Sequence, residues 1–418
     1  MKAANVADYR ELARRRIPKV LFDYVDGGSF TEATLRANSE DFQKIHLRQR
    51  VLVDVSHISL KTEVLGQELS MPVVLSPIGM AGMLARRGEV QAARAAKKAG
   101  VPMCLSTMSI CDMEEVAKDS AGPTWFQLYM IKDRDYMKAL LRRATALGCP
   151  VLVFTVDLPV PGTRYRDTRN GLAGDDSWTL PLRRGWDGIT HLPWVWDVWL
   201  NGRPHQFGNI APAVPEARGI EGFWSWVRGN VDDALDWSHI DWLRENYPGK
   251  IVLKGVQDVD DARQAVRSGL DGLIVSNHGG RQLDGAQSSI TALPPIADAV
   301  GDDITLFMDG GVRSGLDVLK AMALGAKGCF LGRAWAFGLA GGGSEAGVSH
   351  VLEIMRSELA TALALTGCTD VRRAGRHLLV EAQAALKESA AKSPPVRTTR
   401  AVSGSPPNSR NPKQGAAG

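Results

Sequence analysis

A histidine and an arginine stand three residues apart in the stretch 276–285, which reads SNHGGRQLDG. His278 can take up a proton near neutral pH, and Arg281 can hold a carboxylate through two parallel hydrogen bonds. A proton acceptor beside a carboxylate-binding group suits a molecule that carries a hydroxyl next to its carboxylate. The pair therefore predicts chemistry on a 2-hydroxy acid, with His278 as the base.

Two further ionisable residues end apolar runs, and each has two interpretations. Asp157 follows the run 151–156, where it either orients His278 and stabilises its protonated form or caps the following turn. Lys254 closes the run 251–253 and is either a Schiff-base nucleophile or a fixed positive charge beside a cofactor. The residue types alone leave both choices open.

Glycines and arginines occur together in two later turns, MDGGVR at 308–313 and FLGR at 330–333. Glycine lets backbone N–H groups approach an anion closely, and arginine adds a bidentate charge. Unless the glycines only serve the turns, the pattern predicts a phosphate site. Its residues would be Asp309, Gly310, Gly311, Arg313, Gly332 and Arg333.

The elements that must position these residues follow a repeated pattern, in which short apolar runs alternate with amphipathic stretches, as in parallel βαβ units. Eight runs are predicted as strands: residues 71–76, 101–105, 124–128, 151–156, 250–253, 272–276, 304–308 and 328–331. The number eight favours a TIM (β/α)8 barrel, although a doubly wound sheet alternates in the same way. In a barrel, every polar residue named above would follow a strand and face one mouth.

Three regions lie outside this repeat. A helical region at residues 6–24 is predicted to cap the barrel at its N-terminal side. A long insertion after strand four, residues 164–238, holds seven tryptophans between residues 178 and 226 and is either a peripheral membrane patch or a packing surface. Residues 389–418 are rich in Pro and Ser without periodicity, which predicts a disordered tail after a barrel domain of residues 1–388.

Composition is that of a folded protein, with 418 residues, 44% hydrophobic and 23% charged. Acidic and basic residues are interspersed at a net charge of +4, so no nucleic acid is expected as a partner.

Five scattered cysteines and no secretory signal predict a cytoplasmic protein. No run is long enough to span a bilayer, so any membrane contact is expected to be peripheral, at the cytoplasmic face of the inner membrane. The spacing of the histidines matches no metal-binding pair, so no metal site is predicted.

The motifs resemble those of the FMN-dependent 2-hydroxy acid dehydrogenases, the family that includes glycolate oxidase, L-lactate dehydrogenase and mandelate dehydrogenase. Besides the stretch 276–285, the family's order and spacing are matched by WFQLY at 125–129, TVDLP at 155–159, MDGGVR at 308–313 and FLGR at 330–333. The resemblance covers residues 8 to 369. Within the family, LRQR at 47–50, RRGEVQAA at 86–93 and PGTRYRD at 161–167 are most similar to the bacterial respiratory L-lactate dehydrogenases.

This resemblance implies FMN-dependent oxidation of an L-2-hydroxy acid, with L-lactate to pyruvate the first candidate and a respiratory quinone or a cytochrome as electron acceptor. It implies a homo-oligomer, commonly a tetramer. The implied catalytic residues are His278, Asp157 and Tyr129, and the substrate would be bound by Tyr24, Tyr129, Arg164 and Arg281. The implied flavin contacts are Pro77, Ile78, Gly79, Ser106, Gln127, Thr155 and Lys254, in addition to the phosphate turns.

Other functions stay open. An oxygen-using 2-hydroxy acid oxidase or an (S)-mandelate dehydrogenase would use the same residues, and Ala81 lies where the family varies in connection with oxygen reactivity and substrate size. A non-redox lyase with a phosphate site would use Lys254 as a Schiff base. A barrel resembling IMP dehydrogenase would need a nucleophilic cysteine after strand six, and residues 276–281 contain none.

Overall fold

Eight short strands form one parallel sheet that curves into a barrel. The strands are β1 (Val73–Leu75), β2 (Cys104–Ser106), β3 (Trp125–Leu128), β4 (Val151–Thr155), β5 (Lys250–Val256), β6 (Gly272–Val275), β7 (Thr305–Met308) and β8 (Gly328–Leu331). Their order in the sheet is β1-β8-β7-β6-β5-β4-β3-β2, and a parallel bridge between Leu75 and Met103 brings its two ends together. The predicted TIM barrel is confirmed, and each strand lies within one or two residues of its predicted run, except that β2 begins three residues later and β5 continues three residues further.

The computed structural model describes residues 3–120, 122, 124–172, 180–214, 226 and 229–380, with the side chains of residues 180–184 excepted. One compact unit spans Met1–Val380. The predicted domain boundary at residue 388 and the predicted tail 389–418 lie outside the described residues.

The barrel interior is packed with large side chains, which closes one end of the molecule. Trp125, Phe307 and Phe330 meet edge-on at the centre, with ring centroids 5.5 to 6.0 Å apart. A two-stranded antiparallel hairpin, Thr62–Val64 with Gln67–Leu69, contributes Val64 and Leu69 to this cluster. The sequence analysis did not predict this hairpin. Because the interior is filled, ligands can reach only the loops that follow the strands.

Helices flank the strands of the sheet. They are α1 (Val6–Arg16), α2 (Lys19–Asp26), α3 (Ala33–Gln43), α4 (Gly88–Ala99), α5 (Met113–Asp119), α6 (Arg134–Ala146), α7 (Tyr165–Arg169), α8 (Leu180–Thr190), α9 (Leu192–Trp194), α10 (Ser238–Asn246), α11 (Val259–Arg267), α12 (Ser289–Val300), α13 (Gly315–Ala323), α14 (Arg333–Gly342) and α15 (Glu345–Thr366). Side-chain caps fix several starts. Asp112, Asp133 and Ser314, for example, each accept a hydrogen bond from the backbone three residues on.

The N-terminal region differs in detail from its prediction. The single helical stretch predicted at residues 6–24 is two helices, α1 and α2, because Pro18 has no N–H to continue the first helix. A third helix, α3, was not predicted. Tyr24 at the end of α2 and Asn38 on α3 reach the loops at the barrel mouth, so this region contributes to the site as well as to the packing.

The insertion after β4 has both buried and exposed tryptophans. Trp194 is buried and donates a hydrogen bond from Nε1 to the carbonyl oxygen of Met83 at 2.8 Å. Trp186 and Trp196 are 70% and 69% exposed, and Trp199 is also exposed. Trp178 and Trp224 lie outside the described residues. Each of the two predicted roles therefore agrees with one face of this segment.

Candidate active site

The strands end around a cavity of about 560 Å³. Most residues predicted for the site line it: Tyr24, Pro77, Ile78, Gly79, Ser106, Tyr129, Thr155, Arg164, Lys254, His278, Arg281, Asp309, Gly310, Gly311, Arg313, Gly332 and Arg333. The remaining two lie behind the wall. Gln127 accepts a hydrogen bond from Ser106 at 3.0 Å, and Asp157 contacts His278. The structure thus brings together side chains from all eight strand ends and from α2.

His278 and Asp157 form a hydrogen-bonded pair, with 2.8 Å between Nδ1 of the imidazole and Oδ1 of the carboxylate. The other ring nitrogen, Nε2, lies 3.4 Å from the hydroxyl oxygen of Tyr129. Burial lowers the pKa of His278 below its ordinary value, although Asp157 opposes this shift. The imidazole is therefore neutral at pH 7, and Nε2 can accept a proton while Asp157 stabilises the resulting charge.

The backbone around this pair is unusual and fixes the ring. His278 has φ of 56°, in the left-handed region, and its N–H donates to Ser276 Oγ at 3.0 Å. Behind the carboxylate, Gly255 has φ of 111°, and a Cβ there would lie 2.5 Å from Cβ of Asp157. The site therefore requires glycine at position 255 for the carboxylate to reach the imidazole.

Two arginines face the cavity next to each other. Burial and the neighbouring Arg164 lower the pKa of Arg281 to about 10. Arg281 donates to the carbonyl oxygens of Tyr24 and Gly27 at 2.5 and 2.8 Å, and its guanidinium lies 4.9 Å from the centre of the Tyr24 ring. Two partly buried cations that repel each other favour an anion between them, so this corner of the cavity suits a carboxylate.

Lys254 is buried at the end of β5. Its Nζ lies 3.4 Å from Oδ2 of Asp309 and donates to Ser276 Oγ at 3.1 Å. Burial alone would lower the pKa of Lys254, but Asp309 and Asp157 outweigh it and leave the pKa raised. A Schiff-base lysine needs a neutral amine. The structure thus favours a fixed positive charge and argues against the lyase alternative.

The two glycine-rich turns lie side by side at the ends of β7 and β8. Gly310 and Gly311 have φ of 89° and 88°, and a Cβ at Gly311 would lie 1.8 Å from the carbonyl oxygen of Asn38. Gly332 directly precedes α14, and Gly332 and Arg333, at the start of this helix, line the cavity. Together the turns provide the backbone donors that a phosphate needs.

The two predicted phosphate arginines differ in how far their donors are already used. Arg333 donates through Nε, Nη1 and Nη2 to the carbonyl oxygens of Val25, Gly279 and Gly27 at 2.7 to 2.8 Å. Arg313 donates to one carbonyl oxygen, that of Val312. Arg313 therefore keeps more donors for an anion, whereas Arg333 also holds the end of α2 against the loop after β6.

Buried polar atoms without partners test whether the cavity fits FMN. In the described part of the chain, Gln127 Nε2, Thr155 Oγ1 and Asp309 Oδ1 are buried and have no hydrogen-bond partner. Folded proteins rarely leave such atoms unpaired. A flavin ring carries carbonyl oxygens and ring nitrogens that would accept from Gln127 and Thr155, the ribityl hydroxyls of FMN would donate to Asp309, and its phosphate would suit the glycine-rich turns. The residues present therefore fit the group.

Some residues of the site were not predicted from the sequence. Asp167 lines the cavity 3.7 Å from Arg164, and burial raises its pKa. Asn38 exchanges two hydrogen bonds of 2.8 Å with Asn277.

The position that was expected to influence substrate size, Ala81, lies in the buried interior, whereas Gly79 lines the cavity. A Cβ at Gly79 would lie 3.0 Å from the Tyr24 hydroxyl.

Among the described residues, no group of His, Cys, Asp or Glu is arranged to hold a metal ion.

Comparisons with known proteins identify the family. The family model described as FMN-dependent dehydrogenase matches residues 13–381. An L-lactate dehydrogenase of Caulobacter sp. (strain K31) is 50% identical over 381 residues, 91% of this chain and 99% of that protein. The one of Chromohalobacter salexigens is 50% identical over 378 residues, 90% of this chain and 95% of that protein.

Solved structures give the same result. The monotopic membrane protein (S)-mandelate dehydrogenase aligns with a TM-score of 0.85 and 37% identity, over 91% of this chain and 100% of that one. A mandelate oxidase with (S)-4-hydroxymandelic acid aligns at 0.77 and 35%, over 89% and 98%. With the barrel, the cavity and the unpaired polar atoms, these matches show that the chain belongs to the family of FMN-dependent dehydrogenases.

Proposed function

We propose that the protein oxidises L-lactate to pyruvate with FMN as its cofactor. The observation that carries the proposal is the pair His278–Asp157 beside the partly buried Arg164 and Arg281, inside a cavity that fits the family's cofactor. The choice of L-lactate is supported by 50% identity to curated bacterial L-lactate dehydrogenases over 91% of the chain. The reaction removes two electrons and two protons from the substrate.

Arg281 and Arg164 bind the substrate carboxylate in this proposal, and Tyr24 closes the same corner through its hydroxyl. A carboxylate between two guanidinium groups relieves their mutual repulsion, so binding gains from charges that are already in place. Tyr129, whose hydroxyl lies 3.4 Å from His278 Nε2, hydrogen-bonds the substrate hydroxyl. These contacts would orient the C2 carbon beside the base.

His278 accepts a proton from the substrate at Nε2. Asp157 keeps Nδ1 protonated and the ring in place, and then stabilises the imidazolium. The pKa of Asp157 is lowered, because His278 and Lys254 outweigh the opposing effect of burial. The carboxylate is thus ionised throughout the neutral range and ready for this role.

FMN, when bound, would accept the two electrons together with the second proton. The residues that would hold it are the backbone of Pro77–Gly79, the side chains of Ser106, Gln127, Thr155 and Lys254, and the phosphate turns, Asp309, Gly310, Gly311, Arg313, Gly332 and Arg333. Lys254 places a buried positive charge among these residues, which favours negative charge on the ring beside it.

The first experiment is the visible absorption spectrum of the purified protein, recorded without oxygen before and after addition of L-lactate, (S)-mandelate or glycolate. We expect flavin bands that bleach fastest with L-lactate. Bleaching with (S)-mandelate alone would keep the family and overturn the substrate. A protein without flavin bands, even after FMN is supplied, would overturn the whole proposal.

An (S)-mandelate dehydrogenase or an oxygen-using oxidase is the second candidate. It is favoured by the structural likeness to (S)-mandelate dehydrogenase and mandelate oxidase, and by the space that Gly79 leaves beside Tyr24. Preference for an aromatic substrate would identify the first, and hydrogen peroxide formed in one-to-one ratio with the keto acid would identify the second.

The electron acceptor in this proposal is a membrane quinone or a cytochrome, reached by a homo-oligomer that binds the cytoplasmic face of the inner membrane. Among the described residues, no helix is long and apolar enough to cross a membrane. Support for surface contact comes from exposed apolar side chains of the insertion, here called the insertion patch: Trp186, Ile189, Leu192, Trp196, Trp199 and Leu200. Aromatic residues of this kind favour the membrane interface.

Replacing Trp186 and Trp196 by serine together should weaken binding to phospholipid vesicles by about tenfold or more, because both rings leave the membrane interface. Co-sedimentation with vesicles containing anionic phospholipid measures the effect. The matched control is the double change Val51→Ser and Leu52→Ser, which removes two exposed apolar side chains outside the insertion patch. Equal vesicle binding by wild type and the tryptophan variant would overturn the membrane role of the patch.

A further inference from the structure

Gln282 follows Arg281 directly, but its side chain contacts a different loop, the 157–164 segment that joins β4 to α7. Nε2 donates to the carbonyl oxygens of Asp157 and Val160 at 2.8 and 3.0 Å. Oε1 accepts from the N–H of Gly162 at 3.1 Å. One amide thus pairs with three backbone groups spread over the segment.

The 157–164 segment forms a wall of the cavity, because each residue from Leu158 to Arg164 lines it. All residues of the segment are described, and no hydrogen bond joins two of them. Pro159 and Pro161 have no N–H to donate. The segment therefore depends on contacts from outside itself for its conformation, and Gln282 supplies three of them.

Close packing supports the same contact. A Cβ at Gly162 would lie 2.3 Å from the carbonyl oxygen of Arg281 and 2.9 Å from Cα of Gln282. The segment thus lies directly against the backbone of residues 281 and 282. On its other side, the N–H of Phe30 donates to the carbonyl oxygen of Thr163 at 2.7 Å.

The segment ends at Arg164, whose own contacts are few. Its Nη1 lies 3.7 Å from Asp167 Oδ2, and its buried Nε has no hydrogen-bond partner in the described part of the chain. Because the side chain makes few contacts of its own, the backbone that carries it sets which part of the cavity its guanidinium can reach. That backbone is fastened by Gln282.

A separate anchor holds α7, which follows the segment. Arg166 donates to Asp26 and Glu32 at 2.9 and 2.7 Å. Loss of the Gln282 contacts should therefore release the 157–164 segment while α7 stays attached to α2.

We propose that Gln282 is a positioning residue: it fastens the 157–164 segment so that Arg164 stands beside Arg281 and the two can bind one substrate carboxylate. This inference rests on the proposed role of Arg164 in substrate binding. Gln282 contacts Asp157 only at its backbone carbonyl oxygen, whereas Gly255 and His278 hold the carboxylate, so its effect is expected in binding more than in the proton transfer.

The test compares Gln282→Met, which loses all three hydrogen bonds, with the isosteric Gln282→Glu, whose ionised carboxylate can only accept. We expect the KM for L-lactate to rise by roughly tenfold to a hundredfold in both, with kcat changed by less than about threefold. Gln287→Glu is the matched control, because the Gln287 side chain is exposed and makes one long bond, 3.4 Å, to the Gln257 carbonyl oxygen. Unchanged KM in both Gln282 variants, or an equal fall of kcat, would overturn the proposal.

Arg164→Met and its combination with Gln282→Met show whether the glutamine acts through the arginine. In the Arg164→Met background, Gln282→Met should change KM by less than about threefold, because residues that act as one unit are not additive. An effect as large as in the wild-type background would overturn the assignment.

A readout without turnover separates this inference from the proposed function. Trypsin should cut the FMN-loaded protein after Arg164 about tenfold faster in the Gln282 variants than in wild type or Gln287→Glu, because a released segment reaches the protease more often. Equal cleavage would overturn the fastening role whatever the substrate is. Faster cleavage in an enzyme that does not oxidise L-lactate would support the fastening role and overturn only the substrate.

Discussion

His278→Gln is expected to lower kcat for L-lactate by about 10²- to 10⁴-fold or more while FMN stays bound, because the variant lacks the proton acceptor. Glutamine can still accept a hydrogen bond from Tyr129 and occupies a similar volume. The measurement is the rate of anaerobic bleaching of the flavin bands under saturating L-lactate. His57→Gln, a change of an exposed histidine, is the matched control and should react as wild type does.

The dependence on pH gives a second readout of the same residue. Since burial lowers the pKa of His278, with Asp157, Lys254 and Arg164 as the charged groups that act on it, the neutral base persists through the neutral range. In wild type, kcat/KM should be level near pH 7 and fall only toward acid pH, below the ordinary imidazole pKa of about 6.5. This acid limb should vanish in His278→Gln. A variant that keeps the limb, or more than about a tenth of the activity, would contradict the assignment of the base.

Sequence reasoning found the main ionisable groups of the site because each of them ends an apolar run. Asp157 and His278 are 121 residues apart, yet a parallel barrel must bring β4 and β6 to the same mouth, and the structure gives 2.8 Å between their side chains. The resemblance added Tyr24 and Arg164, which no periodic pattern could place at the cavity.

Asn38 and Gln282 make contacts that could not be predicted from the sequence. Asn38 lies on a polar helix and bonds Asn277, 239 residues away, while Gln282 bonds backbone groups of a loop that has no regular structure. Both contacts depend on how loops from different strands fold against each other. No hydrophobic period or local spacing carries that information.

The fold, too, has elements that could be predicted from the sequence and elements that could not. Six of the eight strands could be predicted to within a residue or two because buried parallel strands are short apolar runs bounded by Gly and Pro. The hairpin at Thr62–Leu69 was missed because its strands have three residues each and only one buried side chain per strand. In the insertion, Trp194 and Trp196 lie two residues apart in a helical turn, one buried and one exposed, which tryptophan content alone does not distinguish.

Lys254→Met is expected to lower the free energy of unfolding by about 3–5 kcal/mol, because it leaves the buried Asp309 carboxylate without its partner. Asp309 Oδ1 already lacks a hydrogen-bond partner among the described residues, and Ser276 Oγ loses the donor at 3.1 Å. Chemical denaturation of the FMN-free protein measures the change without a contribution from cofactor binding. Lys250→Met on the same strand is the matched control. Its exposed ion pair with Asp271, 3.0 Å long, should contribute about 1 kcal/mol or less.

A double variant separates the two consequences of losing this charge. Lys254→Met with Asp309→Asn removes both members of the buried pair, so a large part of the lost stability should return. The rate of flavin bleaching by L-lactate should stay about a hundredfold or more below wild type in both variants, because no positive charge remains beside the ring. If the double variant recovers the rate along with the stability, Lys254 only neutralises Asp309. If the single variant is as stable as Lys250→Met, the ion pair does not stabilise the mouth of the barrel.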